Sequence, residues 1–252
     1  MAKVNAADVL RRELSATGYR PAVVNLGSAT DAYQPVEREL RITRAVLEVL
    51  AEALHPVAVV TKSSLIERDL DLLRTMAEQR LAAAYISVTT LDHSLSRRLE
   101  PRAASPTRRL RTVEALARAG VPVCVNVAPV IPFVNEPEIE RILEAAAAAG
   151  AGGAFYTVLR LPWEVAPLFR EWLGLHYPQR AERVMNRVRD MREGRDYDAD
   201  FATRMKGSGP WADLVRQRFD KACARHGLGR GRFALRDDLF RRPRLDTQLD
   251  LF

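Results

Sequence analysis

Cysteine and long apolar stretches are both scarce in this sequence. Its 252 residues include only two cysteines, Cys124 and Cys223, which cannot build a disulfide framework and fit no zinc-ligand spacing. The same count excludes an iron–sulfur site that needs three cysteine ligands from this chain. No segment approaches the roughly 18 consecutive apolar residues of a membrane span, and the N-terminus lacks the apolar segment of a signal peptide. We therefore expect a cytoplasmic protein without membrane contact.

Lysine is also rare, and the positive charge is unevenly distributed. Of the 39 basic residues only four are lysines: Lys3, Lys62, Lys206 and Lys221. From Arg180 to the end of the chain 18 basic residues stand against 12 acidic ones, whereas the first 179 residues carry 21 against 20. A basic C-terminal region can bind a polyanion such as nucleic acid. A solvated surface rich in salt bridges has the same composition, so both interpretations stay open.

Five short segments rich in β-branched residues alternate with segments of helical periodicity. They cover residues 22–26, 57–61, 82–88, 121–128 and 153–159, and this alternation predicts βαβ units around a parallel sheet. A helix over residues 6–17, with Asn5 as its N-cap, precedes the first strand. In a wound parallel fold a helix normally connects two strands, so this one is either a lid or the sign of a missing strand. Only helices are predicted after residue 159, and we place a barrel-like domain at residues 1–175 and a basic, mainly helical extension at residues 176–252.

Polar residues follow every predicted strand, at the end where parallel α/β folds bind their ligands. On the fourth strand one face is all valine, and the other carries small or polar residues, among them Cys124 and Asn126. This pattern predicts a barrel or half-barrel with a polar mouth. Serines at strand ends also cap helices, and we expect that role for Ser64 and Ser105. The strand-end candidates for ligand binding are Thr30, Asp31, Lys62, Ser87, Thr89, Asn126 and Arg160.

Lys62 leaves several interpretations open. A desolvated lysine at a strand end can form a Schiff base, as in aldolase barrels. A lysine in this position can equally contact an anion or carry surface charge. The chain contains no P-loop and no Gly-x-Gly-x-x-Gly motif, so the residues alone predict an enzyme scaffold whose ligand is not identified.

A set of short motifs resembles one enzyme family. The segment Asn25–Glu37 contains Thr-Asp-Ala-Tyr-Gln-Pro-Val-Glu, which is similar to the Thr-Asp-x-Tyr-Gln-Pro-x-Glu segment of radical S-adenosylmethionine proteins. The subgroup is the one related to spore photoproduct lyase and described as DNA repair photolyase-like. Further matches follow in the order of the family at Val60–Asp69, Ile86–Asp92, Leu99–Arg102, Val127–Pro132, Leu159–Pro162 and Arg204–Pro210.

This resemblance implies a fold and a ligand. The fold is a partial (β/α)6 TIM-like barrel that holds S-adenosylmethionine across its open mouth. By position, Thr30 and Asp31 match the loop at the methionine end of the ligand. The resemblance places the other candidates along the nucleoside: Ser87 and Thr89 at the ribose, Glu100 and Arg102 on the loop beyond it, and Pro129 and Arg160 in the segments beside the adenine.

One family feature is missing from the sequence. The family binds a [4Fe–4S] cluster on a Cys-x-x-x-Cys-x-x-Cys loop after the first strand, and the cluster delivers the electron that cleaves S-adenosylmethionine. With two cysteines the chain cannot supply these ligands. We therefore expect an N-terminally truncated radical S-adenosylmethionine enzyme that lacks the first strand, binds no metal and generates no radical.

Two hypotheses about function follow from the resemblance. The first is that the chain is part of an enzyme acting on nucleic acid through its basic C-terminal region. The second is a cluster-free protein that binds a nucleotide-like ligand or a partner. Since a sheet without its first strand exposes an unpaired edge, we also expect aggregation or the need for a partner.

Overall fold

In a computed structural model, which describes residues 2–200, 203–231 and 233–244, five strands form one sheet. The strands are β1 (Val24–Leu26), β2 (Val57–Thr61), β3 (Ala82–Ser87), β4 (Val123–Val130) and β5 (Gly153–Val158). Their order in the sheet is their order in the chain, and β1, β2 and β3 pair in parallel, with Val57 opposite both Val24 and Ala82. The predicted α/β architecture is confirmed.

Helices precede the first strand, fill the connections between the strands, as βαβ units require, and follow the last strand. They are α1 (Ala6–Ser15), α2 (Glu37–Leu40), α3 (Ile42–Glu52), α4 (Leu70–Glu78), α5 (His93–Leu99), α6 (Pro106–Arg118), α7 (Ile139–Ala148), α8 (Val165–His176), α9 (Ala181–Asp190) and α10 (Gly209–His226). Short 3₁₀ helices lie at Ser64–Asp69 and Glu136–Glu138. Within the described part of the chain, none of these helices has both the length and the apolar character needed to cross a bilayer.

The helix caps agree with the sequence in one case and correct it in two. The Ser105 hydroxyl accepts a hydrogen bond from the Arg108 amide, as expected. In the 3₁₀ helix after β2 the capping side chain is Ser63, which accepts from the Leu65 amide, and not the predicted Ser64. Asn5 makes no side-chain cap bond to α1. Cap assignments from sequence therefore carry an uncertainty of about one residue.

Burial along β3 and β4 follows the side-chain pattern of the sequence. Every residue of β3 is buried. The valine face of β4 is buried as well, whereas Asn126, on its other face, retains partial exposure. Cys124, predicted to act as a small apolar residue, is fully buried and forms no disulfide. The alternation of β4 therefore separates a packing face from a face available to a ligand.

The contacts divide the chain into two compact units. The first unit comprises the described residues of Met1–Ile86, Arg111–Cys124 and Arg232–Phe252, and the second comprises those of Ser87–Leu110 and Val125–Gly231. The domain boundary at residue 175, suggested by the sequence, stays a prediction.

Within the first unit, residues 233–244 contain no helix and pack beside α1 and the end of α3. The Arg241 amide donates to the Ala53 carbonyl, and the Phe240 ring lies edge-on to His55 at 5.5 Å. His55 is fully buried between the Pro56 carbonyl, 3.0 Å from its Nδ1, and the Tyr19 hydroxyl, 2.7 Å from its Nε2. This part of the predicted extension is therefore not helical, and the apolar end of the tail, Leu249–Phe252, lies outside the described residues.

A close approach between β1 and β2 depends on one glycine of the first unit. Gly27 follows β1 with φ of +87°, and a Cβ atom added to it would lie 2.0 Å from the Val60 carbonyl oxygen. Only glycine combines this backbone conformation with the absence of a side chain. Gly27 thus lets the loop after β1 turn directly over the end of β2.

Candidate functional site

In the first unit, the Asp31 carboxylate fastens the loop after β1 to the end of β2. Its Oδ1 accepts from the Thr61 hydroxyl at 2.6 Å and from the Tyr33 amide at 2.8 Å, and its Oδ2 accepts from the Lys62 amide at 2.8 Å. The structure thus brings the predicted residues Asp31 and Lys62 together through the main chain of Lys62. Thr30, beside them in sequence, is exposed. The network gives Asp31 a structural role at the strand ends.

The tyrosine of the family-like motif belongs to a second network of the same unit. Tyr33 is buried, and its hydroxyl donates to Oδ2 of the fully buried Asp69 at 3.0 Å. Arg44 and Arg68 both form ion pairs with Asp69. Burial, followed by the effect of the Asp69 charge, raises the pKa of Tyr33 far above its ordinary value, so the phenol stays a hydrogen-bond donor. The same motif ends at Glu37, whose carboxylate accepts from the Thr43 amide.

In the second unit, Thr89 and Glu100 meet in a buried polar network. The Thr89 hydroxyl lies 3.0 Å from Glu100 Oε1 and 3.0 Å from the Ala128 carbonyl. Glu100 Oε2 accepts from Arg109 Nη2 at 2.6 Å, and the Arg109 side chain is 2% exposed. Arg109 also donates from Nη1 to the carbonyl of Ser87. Arg109 thus binds two predicted residues, Ser87 and Glu100, and Glu100 in turn binds a third, Thr89.

An asparagine after β4 organises the segment that contains Pro129. The Asn135 amide donates from Nδ2 to the carbonyls of Thr89 and Pro129, at 2.7 and 2.8 Å, and its Oδ1 accepts from the Ile131 amide at 2.6 Å. Asn135 is 1% exposed. It therefore fixes the end of β4 to the main chain after β3 in one conformation.

Asn126 is the predicted residue whose surroundings most resemble a binding position. Its Oδ1 atom is buried and has no hydrogen-bond donor among the described residues. A buried amide oxygen without a donor costs about 1–3 kcal/mol, so such atoms are normally satisfied by protein, water or a ligand. Asn126 therefore offers an acceptor to a ligand on the small, polar face of β4.

Arg102 and Arg160 do not join this network. Arg102 lies in an exposed turn after α5. Arg160 lies after β5 and contacts the Tyr197 hydroxyl at 3.4 Å and the Met205 sulfur at 3.8 Å.

Glu100 itself borders a cavity of about 260 Å³ that is also lined by His93 and Arg97.

Several residues that build these networks were not among the predicted site residues, including Asp69, Arg109, Asn135 and Glu138. Glu138 accepts from the Thr90 hydroxyl and the Leu91 amide. Arg109 lies in an Arg-Arg-Leu-Arg run that has the composition of a solvated helix face. Asn135 lies three residues after Pro132. Its position just beyond the end of a strand is the one feature of the sequence that could have marked it as a candidate.

The donors present in the structure do not fit an iron–sulfur cluster. Cys124 and Cys223 are both buried and outside any disulfide, and burial raises the pKa of the Cys223 thiol, which opposes its use as a thiolate ligand. The described residues contain no group of three His, Cys, Asp or Glu side chains that could hold a metal ion.

Sequence comparison finds relatives in bacteria, archaea and a virus. An uncharacterised protein of Mycobacterium tuberculosis strain H37Rv is 33% identical over 183 residues, which are 72% of this chain and 54% of that protein. An uncharacterised protein of Methanocaldococcus jannaschii is 23% identical over 165 residues, 66% of this chain and 60% of that protein. The chain thus spans little more than half the length of these relatives.

Structure comparison finds spore photoproduct lyase. A mutant of this lyase has a TM-score of 0.57 and 13% sequence identity, over 90% of this chain and 65% of the lyase chain. A second mutant, in complex with a dinucleoside spore photoproduct, has a TM-score of 0.54 and the same identity. At this identity the likeness concerns the fold, and it supports the predicted partial TIM-like barrel.

The family itself is shown by sequence. The model of the Radical SAM superfamily matches residues 4–146, which is more than half of the chain. The match includes β1 to β4 and both polar networks that follow β1 and β3. Members of this family use S-adenosylmethionine and a [4Fe–4S] cluster. The chain belongs to the Radical SAM superfamily.

Proposed function

We propose that this chain binds S-adenosylmethionine and holds no cluster of its own. The observation that carries the proposal is the buried Oδ1 atom of Asn126, which has no donor in the described structure. A ligand with an N–H or O–H group at this point would supply the missing hydrogen bond. S-adenosylmethionine carries such groups on its adenine, its ribose and its ammonium.

Residues of the second unit offer further contacts of suitable chemistry. Each carboxylate oxygen of Glu100 has two lone pairs, so it can accept from a ribose hydroxyl in addition to Thr89 or Arg109. Ser87 and Thr89 are buried at the end of β3, and Pro129 adds an apolar surface suited to a base. For Arg102, contact with the ligand remains a proposal that rests on the resemblance alone. The same holds for Thr30, Asp31 and Lys62 in the first unit.

In the family, the bound cofactor supplies a radical after one-electron cleavage of its sulfonium. We derive no such step for this chain, because its two cysteines cannot provide three thiolates. Its own residues bind and orient the ligand, and the ion pair with Arg109 holds the Glu100 carboxylate in place. This is the chemistry of a cofactor-binding scaffold without its electron donor.

Titration calorimetry with S-adenosylmethionine tests the proposal. The variant Asn126→Leu removes the open acceptor and keeps a side chain of similar size. We expect about tenfold weaker binding and no loss of thermal stability, since an unsatisfied polar atom is removed as well. Asn25→Leu is the control, because Asn25 lies exposed on β1.

Two results would contradict the proposal. The first is equal affinity of the Asn126→Leu variant and the unchanged chain, or the absence of heat for both at about 1 mM ligand. The second concerns the cluster: we expect no iron and no sulfide in anaerobically purified protein, and a stoichiometric content of both would refute the cluster-free part.

A nucleic acid is the partner that we propose for the intact protein. The basic excess after residue 180 and the fold shared with a lyase solved with a dinucleoside photoproduct support this choice. Because phosphate contacts release counterions, binding of an oligonucleotide should weaken steeply as salt rises. An affinity that does not change between about 50 and 200 mM salt would exclude it.

A further inference from the structure

Arg192 forms no ion pair with a carboxylate of the described structure. It lies just after α9 with 1% of its surface exposed. Its Nη2 donates to the carbonyls of Leu159 and Arg204, at 2.7 and 3.1 Å, but its Nε and Nη1 have no acceptor. A buried guanidinium stays protonated and is costly unless an anion lies near it. The Arg192 guanidinium is thus a buried positive charge without an ion-pair partner.

A second guanidinium lies on the same two chain segments. Arg160 directly follows Leu159, and its Nη1 contacts the sulfur of Met205, the residue after Arg204. Its Nε is buried without an acceptor, its Nη2 lies 3.4 Å from the Tyr197 hydroxyl, and the guanidinium carbon lies 5.9 Å from the centre of the Tyr197 ring. None of these is a strong charge-assisted hydrogen bond, which would be about 2.7–2.9 Å long. Each of the two positive charges is unfavourable for the other, so an anion bound near both would stabilise them.

The carboxylates of the adjoining loop are already engaged. Asp198 accepts from the Thr203 hydroxyl and from the Asp200 amide. Asp196 forms ion pairs with Arg170 and Arg189. Asp198 interacts with Arg192 only at longer range, and that charge opposes the lowering of the Arg192 pKa by burial. The local balance is consequently positive.

We propose that Arg160 binds a phosphate group of a ligand at the carboxyl end of β5, with Arg192 behind it as a positioning residue that supplies charge. The planar fork of arginine suits two oxygens of a phosphate. For two cations without an ion-pair partner, a phosphate monoester or a chain of diesters is a better ligand than a single carboxylate. The position is also the one at which parallel α/β folds bind their ligands. S-adenosylmethionine carries no phosphate, so phosphate binding by Arg160 is a different role from the position beside the adenine that the family resemblance implies for it.

Four probes without S-adenosylmethionine test this site: inorganic phosphate, uridine 5′-monophosphate, a single-stranded hexanucleotide, and uridine as the probe without phosphate. We expect the phosphate-bearing probes, but not uridine, to bind and to raise the melting temperature. The monoester and the hexanucleotide distinguish a small phosphorylated ligand from a nucleic acid strand, and preference for either supports the proposal. Because no cofactor is present, failure here leaves the S-adenosylmethionine proposal standing.

Variants of three arginines decide whether the response arises at this site. Arg160→Gln should weaken phosphate binding about tenfold, the size expected for one lost charge-assisted pair. Arg195→Gln is the control, because Arg195 is an exposed arginine of the same loop, paired with Glu193. Arg192→Met should reduce both the affinity for phosphate and the dependence of that affinity on salt. If Arg192 had a purely structural role, the folded variant would show neither change. Equal binding by Arg160→Gln and the unchanged chain, or equal stabilisation by uridine and its monophosphate, would overturn the proposal.

Discussion

Replacing Arg109 by methionine should destabilise the protein strongly. Arg109 is 2% exposed and forms an ion pair with Glu100, whose side chain is 10% exposed. Removing one member of a buried ion pair leaves the other charge uncompensated and costs about 3–5 kcal/mol. The Arg109→Met variant also removes the donors to the carbonyls of Ala104 and Ser87. Since folded domains are stable by only about 5–15 kcal/mol, we expect the loss to be a large fraction of the total.

Urea unfolding, followed by circular dichroism, measures this loss as a change in the free energy of unfolding. The matched control is Arg118→Met on the same helix α6, where the side chain is 77% exposed and pairs with Glu114. An exposed pair of this kind contributes about 0–1 kcal/mol. Both variants replace an arginine of α6 by methionine and break an ion pair with a glutamate. The difference between their free energies of unfolding therefore measures the effect of burial.

The double variant Arg109→Met, Glu100→Gln separates the stranded charge from lost packing. It should recover about 1 kcal/mol or more relative to Arg109→Met alone, because the unpaired carboxylate is no longer present. The reasoning is refuted if Arg109→Met costs no more than Arg118→Met, or if neutralising Glu100 makes the variant less stable still.

Two further predictions concern the first unit. Gly27→Ala should lower the free energy of unfolding, measured in urea, by about 3 kcal/mol or more. The new Cβ would lie 2.0 Å from a carbonyl oxygen of β2, and the residue would have to keep a φ of +87°. Gly18→Ala is the control, because a Cβ at Gly18 would meet nothing within 4 Å. Burial lowers the pKa of His55 below its ordinary value, so the unfolded chain binds this proton more readily. Stability should therefore fall as the pH drops below about 6.5, and His55→Phe should flatten that part of the profile; parallel profiles for both proteins would contradict this assignment.

The sheet was predictable from the sequence because its signals are local. Five segments rich in β-branched residues, separated by segments of helical periodicity, determine the order of the elements. The bounds are less certain: β4 was expected at residues 121–128 and is observed at Val123–Val130. Segment ends depend on hydrogen bonds to neighbouring strands, such as that from the Ala84 amide to the Pro122 carbonyl, which no local pattern specifies.

The polar networks were only half predictable. Thr89, Glu100 and Asp31 could be proposed because they lie at strand ends or in a family-like motif. Arg109 could not, because three arginines within four residues look alike in the sequence, and only packing selects the one that is buried. The partner of a buried charge is set by tertiary structure, and a single sequence contains no information on it.

The family-like motif after β1 has a structural explanation that does not require the cluster. Asp31 holds the main chain of Lys62, Tyr33 holds Asp69, and Glu37 holds the start of α3 through the Thr43 amide. Each of these bonds satisfies a backbone or side-chain group that would otherwise be left without a partner, and each stabilises the loop after β1. A chain can therefore keep these residues and the fold of the family while lacking the thiolates that its redox chemistry needs. The hydrogen bonds that stabilise this loop are thus independent of the thiolates that deliver the electron in the family.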